Sequence, residues 1–176
     1  MALVVLLRGI NVGGHRTFRP SRLADQLKHL DAVNIGAAGT FVIRRPVTRE
    51  RLRAEFARRI PFDAGIVICH GREILRLMSR HPFANQRARL DVVRFVSVLS
   101  KRPRSTPSTP MSLPVRGPWL LKILAAHGRF VLGMYRRQMK VIGHLGALDG
   151  LFGVPVTTRN WNTITAIARV LEDGTS

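Results

Sequence analysis

A glycine-rich stretch near the start of the chain is the first place where residue types and spacing suggest chemistry. Residues 8–16 read Arg-Gly-Ile-Asn-Val-Gly-Gly-His-Arg and follow a short apolar run. Closely spaced glycines let backbone N–H groups converge on an anion, and a following helix adds positive potential. The sequence therefore predicts an anion-binding loop, whose candidate residues are Arg8, Asn11, Gly13, Gly14, His15 and Arg16.

The loop has two alternative interpretations. The spacing of Gly9 and Gly14 resembles the phosphate loop of nucleotide hydrolases, in which Lys and then Ser or Thr follow the last glycine. His15 and Arg16 occupy those two positions, which argues against a loop of that kind. A tight turn that needs glycine for positive φ is the structural alternative, and it stays open beside the anion site.

A second polar motif, Thr-Thr-Arg-Asn-Trp-Asn-Thr, occupies residues 157–163. It is interpreted as a loop rich in capping residues that starts the last helix, with an arginine beside it, and such helix starts bind anions. The candidate ligand-binding residues are Thr158, Arg159, Asn160, Trp161 and Asn162. The alternative is that the polar residues only cap the helix while the tryptophan fills the core.

Other chemistry is sparse. The six histidines show no metal-binding spacing with one another or with Cys69, and a single cysteine forms no disulfide within the chain. The carboxylates are few and scattered, so no acid–base pair can be chosen from them. The sequence therefore predicts no metal site and no cofactor, assigns no catalytic residue, and leaves open whether the protein is an enzyme.

Apolar periodicity indicates which elements position the first motif. Ala2–Leu7 is a continuous apolar run typical of a buried strand, and Pro20 suits the first turn of a helix. Two short strands, a helix capped by Thr48 and a further strand follow, at 33–35, 40–44, 48–60 and 65–69. The order β-α-β-β-α-β predicts a ferredoxin-like, split βαβ arrangement.

The second half is predicted to form another small α+β unit. Residues 92–99 form a strand, 120–125 and 130–135 a hairpin, and a helix follows Asn160. Residues 101–118 hold five of the ten prolines and are interpreted as a mobile basic loop. The predicted α+β fold thus has a ferredoxin-like subdomain over 1–81 and a second α+β subdomain over 82–176.

The charge is strongly one-sided, with 29 Lys and Arg against 10 Asp and Glu, a net charge of +19. A field of that sign attracts phosphates and nucleic acid. Arginine greatly outnumbers lysine, which genomic base composition alone can produce. That explanation does not account for the shortage of acidic residues.

The two motifs resemble those of the domain-of-unknown-function family 1697. Its members typically carry Leu-Leu-Arg-Gly-Ile-Asn-Val-Gly-Gly, found here at residues 6–14, and Thr-Thr-Arg-Asn-Trp-Asn-Thr, found here at 157–163. His81-Pro82-Phe83 is similar to a mid-chain segment of the family. The resemblance implies an α+β protein with ferredoxin-like parts and no assigned reaction. The sequence departs from the family at residues 38–40, Ala-Gly-Thr in place of Ser-Gly-Asn, and at His15 in place of Lys.

Three functions remain after this reading. The first is binding of nucleic acid or another polyanion through its phosphates, by the arginines of residues 44–59 (Arg44, Arg45, Arg49, Arg51, Arg53, Arg58 and Arg59). The second is an enzyme or binding protein that holds a small phosphorylated or carboxylated metabolite between the two motifs, clamped by Arg8 and Arg159. The third is an assembly role as a homodimer. With no apolar run as long as a membrane span, we expect a cytoplasmic protein without membrane insertion.

Overall fold

The computed structural model describes residues 1–10 and 18–174. The chain divides into two compact units, Met1–Arg80 with Thr163–Ser176, and His81–Asn162. The last helix from Thr163 onwards thus groups with the first unit, whereas the sequence had placed it in the second subdomain. The close approach of its Leu171 side chain to Gly71, where an added Cβ would lie 2.6 Å from Leu171 Cδ2, is one reason for that grouping.

The first unit is built on a four-stranded antiparallel sheet in the order β2-β3-β1-β4. Its strands are β1 (Leu3–Arg8), β2 (Ala32–Ile35), β3 (Thr40–Ile43) and β4 (Gly65–His70). β1 lies between β3 and β4, and all of its apolar residues are buried. This position agrees with its continuous apolar run, which is typical of a strand with neighbours on both sides. The element order β-α-β-β-α-β expected from the sequence is present.

The helices of the first unit bury one face each. They are α1 (Pro20–Gln26), a 3-10 turn (Lys28–Leu30), α2 (Arg49–Arg59), α3 (Gly71–Ser79) and α6 (Trp161–Asp173). The predicted cap of α2 is confirmed, because Thr48 Oγ1 accepts a hydrogen bond of 3.2 Å from the Arg51 N–H. Leu52 and Phe56 are the buried residues of α2, and the Phe56 ring meets Phe41 of β3 edge-on at 5.1 Å.

The second unit holds a five-stranded antiparallel sheet in the order β6-β7-β8-β5-β9. Its strands are β5 (Val92–Leu99), β6 (Met111–Leu113), β7 (Leu121–His127), β8 (Phe130–Arg136) and β9 (Val156–Asn160). The predicted hairpin is confirmed, since His127 pairs with Phe130 across the turn at Gly128. Two short helices, α4 (Val141–Gly146) and α5 (Leu148–Phe152), contribute Val141, Leu148 and Phe152 to the core of this unit.

Two segments of the second unit differ from the sequence-based expectation. Residues 157–160, interpreted as a helix-capping loop, form strand β9, which pairs with β5 from Val156 to Asn160. The helix begins directly after these residues, at Trp161, as expected. The residues before it form a strand and not a loop, because β-branched threonines suit a strand and because Thr157 and Arg159 alternate into the interior. The proline-rich segment 101–118 contains strand β6, which pairs with β7 at residues 111–113.

The predicted α+β class is confirmed by these two antiparallel sheets and their helices. Among residues 1–10 and 18–174, no helix combines the length and the apolar character that crossing a lipid bilayer requires.

Candidate functional site

A pocket of about 220 Å³ lies in the second unit, at the ends of β5, β8 and β9. Its polar lining is dominated by arginine guanidinium groups. The lining residues that bear on function are Arg87, Arg89, Arg94, Tyr135, Arg137, Asn160, Trp161 and Asn162. Antiparallel pairing brings these distant parts of the chain together, because Val93 pairs with Tyr135 and Phe95 pairs with Asn160.

The lining arginines fall into two groups according to their partners. Arg89 is fixed by Asp91, to which Nε and Nη2 donate hydrogen bonds of 2.9 and 2.7 Å. Arg137 is fixed by the backbone, because its Nε donates to the Leu90 carbonyl oxygen at 3.0 Å. These contacts hold two charges at the rim of the pocket without neutralising Arg137.

Arg87 and Arg94 form the second group. Within the described part of the chain, neither side chain makes a hydrogen bond or an ion pair. Arg94 is placed by an aromatic contact, since its Cζ lies 5.8 Å from the centre of the Phe83 ring. Arg87 is exposed and Arg94 is half-buried. A guanidinium that makes no hydrogen bond within the protein keeps its N–H donors for an incoming anion, so these two arginines are the groups most available to a ligand.

Two aromatic residues, Tyr135 and Trp161, line the pocket. The Trp161 ring meets Phe83 edge-on with centres 4.9 Å apart, so the indole is held by packing as well as by its helix. Burial raises the pKa of Tyr135 above its usual range, with Arg137 acting in the opposite direction. The Tyr135 phenol therefore stays protonated at neutral pH and keeps its O–H as a hydrogen-bond donor.

The second motif is split between this pocket and the interior. Asn160, Trp161 and Asn162 line the pocket at the start of α6, where the helix dipole is positive. Thr158 instead shares a 2.6 Å hydrogen bond with Ser97 of β5. Arg159 is 8 % exposed, does not line the pocket, and donates through Nη1 to the Thr158 carbonyl oxygen at 2.9 Å.

Arg159 is an unusual residue for a protein interior. Desolvation by burial lowers the pKa of its guanidinium to about 10, so it still carries its charge at neutral pH. A buried charge is retained only where polar groups surround it. The structure thus gives Arg159 an internal position rather than the exposed position that a clamp on a solvent ligand would need.

The first motif is described only in part. Arg8 ends β1 in the first unit, where it pairs with Gly65 of β4. The other candidate residues of the loop, Asn11, Gly13, Gly14, His15 and Arg16, lie outside the described residues. Whether the two motifs share a cleft therefore stays a prediction.

Sequence reasoning missed most of the pocket, namely Arg87, Arg89, Arg94, Tyr135 and Arg137. One signal was present: Arg94 interrupts an otherwise apolar strand, Val-Val-Arg-Phe-Val. Among the described residues, no cluster of His, Cys, Asp and Glu could hold a metal ion.

Comparisons with known proteins agree with the motif reading. A family model described as "Protein of unknown function (DUF1697)" matches residues 1–110, which include the first motif but not the second. No curated protein matches the chain. A solved structure, "conserved bacterial protein SP0830 from Streptococcus pneumoniae", is similar over 97 % of this chain and 98 % of that one, with a TM-score of 0.60 and 15 % identity. That likeness shows a shared fold, and the family match shows that the chain belongs to the DUF1697 family.

Proposed function

We propose that this protein binds nucleic acid, or a similar polyanion, through phosphate groups that enter the arginine pocket of the second unit. The observation that carries the proposal is the convergence of Arg87, Arg89, Arg94 and Arg137 on one pocket. Guanidinium groups bind phosphate oxygens through paired, charge-assisted hydrogen bonds. Contacts of that kind are sequence-independent and fall steeply with salt.

The charge distribution supports the second unit as the contact surface. Residues 81–162 contain ten arginines and three lysines against two carboxylates, Asp91 and Asp149. The remaining 16 of the 29 Lys and Arg are accompanied by eight of the 10 Asp and Glu. Positive charge therefore exceeds negative charge far more strongly in the unit that carries the pocket.

The arginines first suggested from the sequence are less suitable, because several are already paired. Arg44 makes a two-pronged ion pair with Asp31, at 2.8 and 2.9 Å. Arg58 and Arg59 both contact the Glu55 carboxylate. Phosphate binding at these three arginines would first have to displace a carboxylate, which Arg87 and Arg94 of the pocket do not require.

A small phosphorylated or carboxylated ligand in the same pocket is the second candidate. A volume of about 220 Å³ accommodates one such group, and the Asn160 and Asn162 amides at the rim supply directional hydrogen bonds. For this candidate, binding would saturate with a single anion and gain nothing from a longer polymer.

Two further assignments belong with this proposal. We assign the first unit to the ferredoxin-like class, supported by the strand order β2-β3-β1-β4 with antiparallel neighbours. We also place the protein in the cytoplasm, where nucleic acid is accessible.

The test compares the affinities of two double variants for a fluorescein-labelled 20-nucleotide RNA and DNA at 50 mM salt. Arg87→Gln with Arg94→Gln removes two pocket charges. Arg22→Gln with Arg169→Gln removes two exposed arginines outside the second unit that make no side-chain hydrogen bond in the described chain. We expect at least about a tenfold loss for the pocket variant, because a charge-assisted hydrogen bond contributes about 1.5–3 kcal/mol, and less than about twofold for the control.

Equal losses in the two variants would show that only the total charge matters and would contradict the pocket assignment. No binding by the wild type would contradict nucleic-acid binding altogether. Titration with inorganic phosphate and adenosine monophosphate then tests the small-ligand candidate, which predicts saturable binding that the pocket variant abolishes.

A further inference from the structure

Trp119 carries an unusual pair of cations. Trp119 lies in the connection between β6 and β7. The Nζ of Lys122 in β7 lies 4.6 Å from the centre of its indole ring, and the Cζ of Arg136 in β8 lies 4.3 Å from it. Both distances are well inside the range of cation–π attraction. Trp119, Lys122 and Arg136 are each half-buried, so part of this cluster faces solvent.

The Arg136 side chain is held rigidly in this position. Its Nε donates to the Trp119 carbonyl oxygen at 2.9 Å and its Nη1 donates to Asp91 Oδ2 at 3.2 Å. Its own backbone N–H donates to the Leu120 carbonyl oxygen at 2.8 Å. A guanidinium fixed over an indole is preorganised, so little side-chain entropy is left to lose when a ligand stacks there.

The Trp119 cluster is continuous with the arginine pocket. Asp91 accepts hydrogen bonds from Arg136 and also from Arg89, which lines the pocket. Arg137, the next residue after Arg136, lines the pocket as well. The Asp91 carboxylate therefore links Arg136, which lies over the indole, to Arg89 of the proposed phosphate site.

Strand register extends the same surface across the sheet. Lys122 of β7 pairs with Met134 of β8, and Met134 pairs with Arg94 of β5. Lys122 and Arg94 therefore lie on the same face of the sheet, on the two strands that flank β8. Arg136 lies two residues beyond Met134 and shares that face. Three cations from three strands thus follow one face from the Trp119 cluster towards the pocket.

We propose that Trp119 and Arg136 form a stacking site for an unpaired base, so that the preferred polyanion is single-stranded nucleic acid. This rests on the proposed function, because the neighbouring arginine pocket must hold the phosphates. Aromatic rings and guanidinium planes beside a basic surface bind single strands without regard to sequence, since every base has a π-face. Bases inside a duplex are stacked on each other and cannot reach such a ring.

The two tryptophans of the chain make the test specific, because Trp119 reports on stacking and Trp161 on the arginine pocket. The full chain is labelled with 5-fluorotryptophan, and the two ¹⁹F resonances are assigned from the spectrum of Trp119→Phe. Two ligands of equal charge are titrated, a 12-nucleotide oligothymidylate and an abasic oligodeoxynucleotide of the same length. We expect both ligands to shift the Trp161 resonance and only oligothymidylate to shift the Trp119 resonance.

The outcomes separate the two proposals. A Trp119 resonance that responds to both ligands alike, or to neither while Trp161 shifts, overturns base stacking and leaves phosphate binding intact. Two unresponsive resonances overturn the proposed function together with this inference.

Affinity supplies a second readout. The wild type should bind oligothymidylate at least about fivefold more tightly than the abasic ligand, because stacking on an aromatic ring contributes about 1–3 kcal/mol per base. Trp119→Ala should bring that ratio close to one, whereas Trp119→Phe, which keeps a flat ring, should preserve most of it. An unchanged ratio in a folded Trp119→Ala variant would contradict the stacking site.

Discussion

His70, the last residue of β4, couples the stability of the first unit to pH. Burial is the largest cause that lowers the pKa of its imidazole below 6.5, and Arg49 and Arg72 lower it further, against a smaller opposing effect of Glu73. In the unfolded chain the imidazole takes up its proton near the ordinary value. As pH falls through 6.5, the unfolded state therefore binds more protons than the folded state, and stability decreases.

We predict that the free energy of unfolding of the wild type falls between pH 7.5 and pH 5.5, and that His70→Gln loses part of this fall. The measurement is urea unfolding of both proteins at the two pH values. The comparison isolates His70, because the two proteins differ at that residue alone. Identical pH dependence of the two proteins would contradict the role given to His70.

The ion pair between Asp31 and Arg44 has the opposite dependence on pH. The hydrogen bond from Arg44 is the largest cause that lowers the pKa of the Asp31 carboxyl, and desolvation opposes it. A carboxyl whose folded pKa is depressed stabilises the protein above its unfolded pKa of about 3.8, and loses that effect as pH falls through the folded value.

We predict that Asp31→Asn destabilises the protein at pH 7 by less than about 1 kcal/mol, because both partners are substantially exposed. Asn tolerates the left-handed backbone at this position, where φ is 51°, so the variant removes charge without adding strain. Thermal unfolding should show the difference at pH 7, and its persistence at pH 2 would argue against an ion-pair origin.

At the scale of elements, the packing of β8 against its neighbours depends on one glycine. A Cβ at Gly133 would clash with the Lys122 carbonyl oxygen of β7 and would lie 2.5 Å from Cζ of the fully buried Phe95 ring. We predict that Gly133→Ala destabilises the second unit by about 1–3 kcal/mol, since overpacking a core forces rings out of their preferred positions.

Gly143, in the exposed part of α4, is the matched control. A Cβ there meets no atom within 4 Å, so Gly143→Ala should be neutral or stabilise the helix by up to about 1 kcal/mol. Urea denaturation monitored by circular dichroism compares the two variants. Equal changes in the free energy of unfolding for Gly133→Ala and Gly143→Ala would contradict the claim that close packing around Gly133 excludes a side chain.

The sequence predicted the first unit better than the second, for reasons visible in particular residues. Strand β1 and helix α2 follow from a continuous apolar run and from the Thr48 cap, which are local signals. Strand β9 was missed because its threonines and asparagine also fit a helix cap, and only pairing with β5 selects the strand. Strand β6 was missed because prolines flank it.

The candidate site was predictable only where its residues cluster in sequence. Asn160, Trp161 and Asn162 were found because they share one polar motif. Arg87 and Arg137 lie 50 residues apart and meet only through the pairing of β5 with β8. Surface arginines carry no local pattern that shows which of them converge, so tertiary structure was needed to choose among 29 cations.

At the scale of the whole molecule, a net charge of +19 predicts salt-dependent binding to many polyanions. Non-specific attraction and a defined phosphate site differ in how individual arginines affect that dependence. Removing a charge far from the bound strand changes the overall electrostatic field only slightly. Removing an arginine that contacts a phosphate lowers the number of counterions released on binding, and this lowers the dependence of the affinity on salt.

The most direct test is therefore the slope of log affinity against log salt for a labelled single strand, between 50 and 300 mM. We predict that Arg87→Gln with Arg94→Gln reduces the slope by about 1.4, since each contacted phosphate of a single strand contributes about 0.7. Arg22→Gln with Arg169→Gln should leave the slope close to that of the wild type. A pocket variant whose slope equals the wild-type slope would contradict the claim that this pocket binds phosphate.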